Sequence, residues 1–229
     1  MCGRYTLTID RSTIENHFGG RFYIAHQEFE PTFNAAPSQL LPIIRTGNPN
    51  RIELARWGFV PENWSTPRMR PQNNARLETV NKKRMFHASF RTRHCMVLAD
   101  SFYEWKDTPR GKQPYRIMLR SGEPFAMAGI YARLETDRFE QAEKGLVSFA
   151  ILTTVANEVM QPIHERMPVI LPLGTEKTWL PANPSGMFII PPFPAELMTA
   201  YPVTKKMNKV AFNEPEAIKP IEPVIQLSF

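Results

Sequence analysis

CMVLADSFYEWKDTPRGKQPYRIMLRSGEPFAMAGIY, residues 95–131, is the stretch that decides the fold class. Short runs of apolar, aromatic and β-branched residues alternate in it with turn signals such as Pro109-Arg110-Gly111 and Ser121-Gly122. A similar apolar run follows later in the chain, at 146–154. The pattern predicts five strands, at 95–99, 101–106, 115–119, 125–131 and 146–154.

The flanking sequence adds strands and a few short helices. Ser12 and Glu15 have the spacing of a capping box, and Gly19 follows as a helix terminator. Many strands and few helices favour an α+β domain with a curved or barrel-like mixed sheet and short flanking helices. Strands are predicted at 4–7, 40–44 and 52–57, and helices at 12–18, 74–90 and 155–162.

The composition is that of an ordinary globular protein. With 229 residues, 42% of them hydrophobic and 22% charged, the chain suits a single domain over 1–229 with a full core. The formal net charge of +6 is compatible with a polyanionic partner but does not by itself establish one. The sequence has no run of 18 apolar residues and no basic-then-apolar leader, so we expect a cytoplasmic protein without a membrane partner.

Several kinds of site are excluded by missing motifs. The only two cysteines, Cys2 and Cys95, are far apart, and no Cys-x-x-Cys or His-x-x-x-His pair exists, so we expect no metal. Neither nucleotide-binding glycine pattern is present, so we also expect no cofactor. The sequence has no Gly-x-Ser-x-Gly elbow either, which argues against a Ser-His-Asp hydrolase. In a reducing compartment both cysteines are expected as free thiols, with Cys95 in the core.

The first residues carry the most distinctive chemistry. Removal of Met1 before the small Cys2 leaves an α-amine and a thiol on one residue. Such an amine has a pKa of about 7.7–8.0, against about 10.4 for a lysine, so it is a better nucleophile near neutrality. The amine condenses with an aldehyde, and the thiol then closes a thiazolidine ring. The alternative is a cysteine that simply lies near a frayed terminus.

Four further polar residues have local contexts that favour catalysis or ligand binding. Asn74 and Arg76 lie at the start of a predicted helix and can meet a phosphate or sugar, or serve only as a cap and a solvated arginine. Glu104 lies on a predicted strand, whose alternation puts it on the same face as Phe102, with Tyr103 and Trp105 on the opposite face. Beside an aromatic ring, desolvation raises the pKa of a carboxyl, unless the side chain reaches water. His164 follows a predicted helix and precedes an extended run, as an acid or base near pH 7 or as a structural histidine.

Together these stretches resemble the SRAP (SOS-response-associated peptidase) family, which acts on abasic sites in single-stranded DNA. The matching blocks run in family order from residue 1 to about 210, followed by a short C-terminal tail. They are MCGRY at 1–5, FNAAP at 33–37, RWGFVP at 56–61, NARLET at 74–79, FYEW at 102–105 and IHERMP at 163–168.

The resemblance implies a mechanism and its residues. Cys2, freed by loss of Met1, is expected to form a thiazolidine crosslink with the sugar aldehyde of an abasic site. His164 is expected as the acid that opens the sugar ring, Glu104 as the proton shuttle and Asn74 as the residue that hydrogen-bonds the opened sugar. Weak lyase activity and self-removal of Met1 are also implied, and DNA binding implies a place at the nucleoid.

The resemblance also implies a set of DNA contacts. Arg4, Arg76 and Arg166 are expected on the phosphates beside the lesion, with a hydroxyl contact from Thr153. Pro37 and Trp64 are expected to stack on neighbouring bases. Asn63 stands where some relatives carry a second aromatic residue before the tryptophan.

Two rival functions remain open at this stage. The first is a cysteine hydrolase or peptidase in which Cys2 attacks a peptide, with His164 and Glu104 as partners. The second is a non-catalytic module that binds single-stranded DNA, for which the arginines suffice. Neither of these functions requires a free α-amine on Cys2.

Overall fold

The structure, a computed structural model, describes residues 2–23, 29–62, 70–134, 145–181 and 190–221. Within these ranges the α-helices are α1 (Arg11–Phe18), α2 (Leu77–Val80) and α3 (Arg84–Thr92), and none is long and apolar enough to cross a membrane. The strands are β1 (Arg4–Leu7), β2 (Arg21–Phe22), β3 (Thr32–Ala35), β4 (Leu40–Arg45), β5 (Asn48–Trp57), β6 (Asn74–Arg76), β7 (His94–Ala99), β8 (Ser101–Lys106), β9 (Gln113–Leu119), β10 (Phe125–Arg133), β11 (Val147–Val155), β12 (Arg166–Pro168) and β13 (Met198–Pro202).

The strands form two sheets, which confirms the predicted α+β class with a curved mixed sheet. The smaller sheet has the order β13-β9-β8-β1-β3. The larger sheet has the order β12-β11-β10-β7-β4-β5-β2, and β11 also pairs with β5 and β6. The β5–β11 pairing closes a ring of five strands through Ser148 opposite Arg56 and Phe149 opposite Trp57. That seam is short, so the ring is not evenly closed.

The central strands β7, β10 and β11 of the larger sheet are buried on both faces because both faces are covered. On β7, Cys95 and Val97 belong to a core cluster shared with the smaller sheet, which also contains Cys2. Met96 and Leu98 point to the opposite face, where α1 and α3 pack. This double burial explains why β7 is a continuous apolar run instead of an alternating one. Both cysteines are free and buried, as predicted.

Helix α1 forms where predicted, but its N-cap is Asp10 rather than Ser12. The Asp10 carboxylate accepts a hydrogen bond from the Thr13 backbone N–H at 2.9 Å. Glu15 does not close a capping box, because its carboxylate accepts the backbone N–H of Phe22 at 2.9 Å. Gly19 ends the helix with φ +59°, the left-handed conformation that favours glycine.

The prediction of helices at 155–162 and 74–90 is corrected by the structure. Residues 156–163 form successive turns, since the Asn157 side chain accepts the Met160 N–H at 3.1 Å and donates to the Phe193 carbonyl at 2.7 Å. A side chain that bonds nearby backbone in this way competes with helix formation. The stretch 74–90 begins as β6 and is then split into α2 and α3 by a turn at 81–83.

A tight turn at 36–39 holds the one described non-glycine residue with a positive φ. Ser38 has φ +75°, its N–H donates to the Trp57 carbonyl at 2.7 Å, and the Gln39 N–H donates to Ala36 at 3.3 Å. Pro37 precedes Ser38, so the sequence and the bond are those of a type II turn, whose third position normally requires glycine.

We therefore expect Ser38→Gly to raise the free energy of unfolding by up to about 1 kcal/mol. Removing Cβ relieves about 1–2 kcal/mol of left-handed strain, and the greater freedom of glycine in the unfolded chain offsets part of it. Urea denaturation measures the change, with Ser38→Ala as the control that keeps Cβ. A glycine variant less stable than the alanine variant contradicts this account.

Candidate active site around Cys2

Cys2 lies two residues before β1, in the core between the two sheets. Its side chain is fully buried, and Sγ lies 3.8 Å from the carbonyl oxygen of Arg4, to which the thiol donates. Burial raises the pKa of the thiol far above its usual value, and the negative charge of Glu104 raises it further. The resting group is therefore the thiol, and a base must take its proton before sulfur can attack.

Asn74 fixes the backbone of Cys2 from the other sheet. Its Nδ2 donates to the Cys2 carbonyl oxygen at 2.8 Å. Asn74 opens β6 and is held opposite Ile151 of β11 by parallel pairing. Its Oδ1 is buried and has no hydrogen-bond partner in the part of the chain that the structure describes. A buried amide oxygen left unpaired is unfavourable, so this acceptor is ready for a ligand donor.

Glu104 lies on β8 and is 2% exposed. The predicted alternation is confirmed, since Phe102 belongs to the core cluster of Cys2, whereas Tyr103 and Trp105 belong to a separate cluster. Burial raises the pKa of the Glu104 carboxyl, and the nearby imidazole of His164 counteracts that rise in part. A carboxyl with a raised pKa exchanges protons closer to neutral pH than an exposed glutamate does.

His164 follows the turns at 156–163 and is half-buried. Its backbone N–H donates to the Met160 carbonyl at 2.9 Å, and its Nδ1 accepts the backbone N–H of Arg166 at 2.9 Å. The imidazole is close enough to Glu104 to act on its pKa. Cys2, Asn74, Glu104 and His164 are therefore brought into one site. The described residues contain no group of three or more side chains that could hold a metal.

The predicted phosphate-binding arginines are placed very differently from one another. Arg76 is exposed at the start of α2. Arg4 is half-buried, and its Nη1 donates to Asn34 Oδ1 at 2.8 Å and to the Met207 carbonyl at 3.1 Å. Burial lowers the pKa of Arg4, though a guanidinium stays charged at neutral pH. Arg4 thus keeps its charge and joins β1 to the 3₁₀ turn at Lys205–Asn208.

Arg166 and Thr153 lie together below the surface. The Arg166 Nη1 and Nη2 donate to the two carboxylate oxygens of Glu78 at 2.8 and 2.9 Å, and Nη2 also donates to the Thr153 carbonyl at 2.6 Å. Arg166 is 7% exposed and Thr153 is fully buried. Their predicted DNA contacts stay predictions, and any such contact has to draw on groups that here bond within the protein.

Of the two predicted stacking residues, one lies within the described residues and one lies outside them. Pro37 is half-buried in the turn at 36–39, next to the exposed Leu40. Trp64 lies outside the described residues, as does Asn63.

Three polar groups of the site region were missed by the sequence reasoning. Glu78 pairs with Arg166, and the Asn34 Nδ2 donates to the carbonyls of Met207, Lys209 and Phe212 at 2.9–3.0 Å. The Tyr5 hydroxyl is buried in the cluster of Cys2 without a hydrogen-bond partner among the described residues. All three residues lie in the sequence blocks quoted above, and that position was the one sequence feature that could have identified them as part of the site.

Comparisons with known proteins agree on one family. A family model described as SOS response associated peptidase (SRAP) matches residues 1–210. The chain is 38% identical to the abasic site processing protein YoqW of Bacillus subtilis (strain 168), over 96% of this chain and 99% of that protein. It is 28% identical to YedK of Escherichia coli (strain K12), over 82% and 84% of the two chains. It is 28% identical to HMCES of Xenopus tropicalis, over 96% and 78%.

The fold has a solved counterpart. A crystal structure of a Bacteroides thetaiotaomicron protein matches with a TM-score of 0.82 and 24% identity, over 96% of this chain and 99% of that one. This similarity supports the fold alone. Since the family model covers most of the chain and a relative with 38% identity spans nearly all of it, the protein belongs to the SRAP family.

Proposed function

We propose that this protein recognises and processes abasic sites in single-stranded DNA and forms a covalent crosslink to them through Cys2. YoqW, YedK and HMCES are all named abasic site processing proteins. The observation that carries the proposal is the meeting of a buried thiol, a buried carboxyl and an unpaired amide oxygen at Cys2, Glu104 and Asn74. The protein acts in the cytoplasm, at the nucleoid, and its reaction uses neither metal nor cofactor.

The reaction begins with loss of Met1. In the unprocessed chain the nitrogen of Cys2 lies in the peptide bond to Met1 and cannot form an imine. Hydrolysis of that bond consumes one water and releases methionine, which leaves the α-amine free. In our proposal the site itself carries out this cleavage, which gives it peptidase character.

The crosslink then forms in two steps. The neutral amine of Cys2 attacks the C1′ aldehyde of the opened sugar, and loss of one water gives an imine. The thiol adds to the imine carbon, and its proton ends on the nitrogen, which closes a five-membered thiazolidine. The product lacks the C=N bond that water hydrolyses readily, so it persists and shields the lesion.

Each site residue has a role in these steps. Glu104 takes the proton of the Cys2 thiol and returns it to the nitrogen, since burial moves the pKa of its carboxyl toward neutrality. His164 donates to the sugar oxygen as the ring opens. Asn74 uses its unpaired Oδ1 to accept a hydrogen bond from a hydroxyl of the opened sugar. An imine that escapes ring closure loses a C2′ proton and expels the 3′ phosphate, which gives weak lyase activity.

The charged surface beside the site suits a phosphate backbone. Arg76 is exposed at its edge, and the turn before α3 adds exposed Lys82 and Lys83, followed by Arg84. The first turn of α3 contains no acidic residue. Phosphate contacts hold a strand in place without reading its bases, which suits a lesion that occurs in any sequence.

Cys2→Ala is expected to abolish the stable crosslink, because the variant lacks the sulfur that closes the thiazolidine ring. The measurement is the SDS-resistant protein–DNA band formed with an abasic single-stranded oligonucleotide. Cys95→Ala is the matched control, since Cys95 is equally buried in the same core cluster but lies on β7, where it cannot supply an N-terminal amine and thiol. A Cys2→Ala protein that crosslinks as well as the Cys95→Ala protein overturns the proposal.

Glu104→Gln is expected to slow crosslinking by roughly 10²–10⁴-fold, the usual contribution of a group that transfers a proton. His164→Ala removes the donor to the sugar oxygen and is expected to slow it by roughly 10²–10³-fold. Single-turnover rates at saturating protein measure the effect. Glu104→Gln should also be more stable than the parent protein at pH 8. Burial raises the pKa of Glu104. The contribution of the protonated Glu104 carboxyl to stability is therefore present below the ordinary glutamate pKa and is lost as pH rises through the raised value. Rates within a few-fold of the parent protein remove these residues from the mechanism.

Arg76→Gln is expected to weaken DNA binding uniformly across sequences and to reduce the slope of log affinity against log salt by about 1. Fluorescence anisotropy with several oligonucleotide sequences measures both quantities. Arg120→Gln is the control, because Arg120 is also exposed but directly follows β9, a strand of the smaller sheet. A loss that depends on base sequence, or an equal loss in the control, contradicts a phosphate contact at Arg76.

A further inference from the structure

The ring of His164 is held in one tautomer by the backbone. Its Nδ1 lies 2.9 Å from the backbone nitrogen of Arg166, and a backbone N–H can only donate. Nδ1 must therefore present its lone pair, which leaves the proton of the neutral imidazole on Nε2. In this arrangement the only group that His164 can offer a substrate is the Nε2–H donor.

The backbone nitrogen that selects this tautomer is anchored on both sides. Within the sheet, Arg166 is paired opposite Val155, and the Ala156 N–H donates to the Glu165 carbonyl at 3.1 Å. Beyond the sheet, the Arg166 guanidinium is tied to Glu78 by two hydrogen bonds of 2.8 and 2.9 Å. Strand pairing fixes the position of the segment, and the side-chain bonds oppose its rotation.

Glu78 is adapted to this task by its charge. The hydrogen bonds from Arg166 lower the pKa of the Glu78 carboxyl, so it stays ionised at neutral pH. The Arg166 side chain is 9% exposed, and a guanidinium so buried needs a paired carboxylate to remain in place. Loss of the charge on Glu78 therefore loosens Arg166 and, through it, the N–H that faces His164.

We propose that Glu78 is a positioning residue for the reaction. It holds Arg166 so that the Arg166 backbone N–H keeps His164 as the neutral Nε2–H tautomer. His164 then polarises the sugar oxygen by hydrogen bonding, and Glu104 carries the proton transfers. The kinetic consequence rests on the proposed function, whereas the tautomer assignment does not.

The ¹⁵N NMR signals of His164 in the full-length protein test the assignment directly. We expect a pyridine-type Nδ1 and a pyrrole-type Nε2 in the parent protein. Glu78→Gln should move both signals toward the average of the two tautomers and slow crosslinking about tenfold. Glu62→Gln is the matched control, because Glu62 pairs with Arg93 at 2.7 Å and is comparably exposed, yet lies in a different part of the described chain. It should change neither quantity.

A substitution at His164 itself separates hydrogen bonding from proton transfer. The amide of His164→Gln reaches the place of Nε2, so this variant should keep about a tenth of the parent rate, well above His164→Ala. His164→Asn, whose amide reaches only the place of Nδ1, should be as slow as alanine.

The proposal is overturned by a parent spectrum with the proton on Nδ1 or on both nitrogens, or by a Glu78→Gln protein identical to the Glu62→Gln protein. A glutamine variant as slow as alanine also contradicts it. A parent protein that gives the expected spectrum but never crosslinks to abasic DNA refutes the proposed function and leaves the tautomer assignment standing.

Discussion

The hydrogen bond from Asn74 to the carbonyl of Cys2 is the contact on which the site depends. Cys2 leads into β1 of the smaller sheet, whereas Asn74 begins β6 on the larger one, and 2.8 Å separates Nδ2 from the carbonyl oxygen. The bond therefore joins the two sheets at Cys2. Because β11 pairs with both β6 and β12, it also sets the place of Asn74 relative to the segment that carries His164.

Burial gives these ordinary groups their chemistry. The Cys2 thiol and the Glu104 carboxyl are removed from water, so burial raises the pKa of both. A thiol of this kind needs a base, and the buried carboxyl of Glu104 is better suited to exchange protons than an exposed one. Desolvation thus couples the two residues.

The strands and the family were accessible from sequence, because alternation and ordered motifs are local signals. Phe102 and Tyr103 separate onto different faces as the strand period requires. The Asp10 cap and the turns at 156–163 were missed, since side chains of Asp10 and Asn157 compete for nearby backbone groups in ways that spacing does not reveal. The Glu78–Arg166 pair joins residues 88 positions apart, so only the folded chain shows it.

The central claim is that a 1,2-aminothiol at Cys2 captures the aldehyde of an abasic sugar. Intact-mass spectrometry of the protein after reaction with an abasic single-stranded oligonucleotide tests it most directly. The account predicts one adduct, whose mass is that of the chain without Met1 plus the oligonucleotide minus one water. An adduct that still contains Met1, or an active preparation in which every chain retains it, would contradict the account.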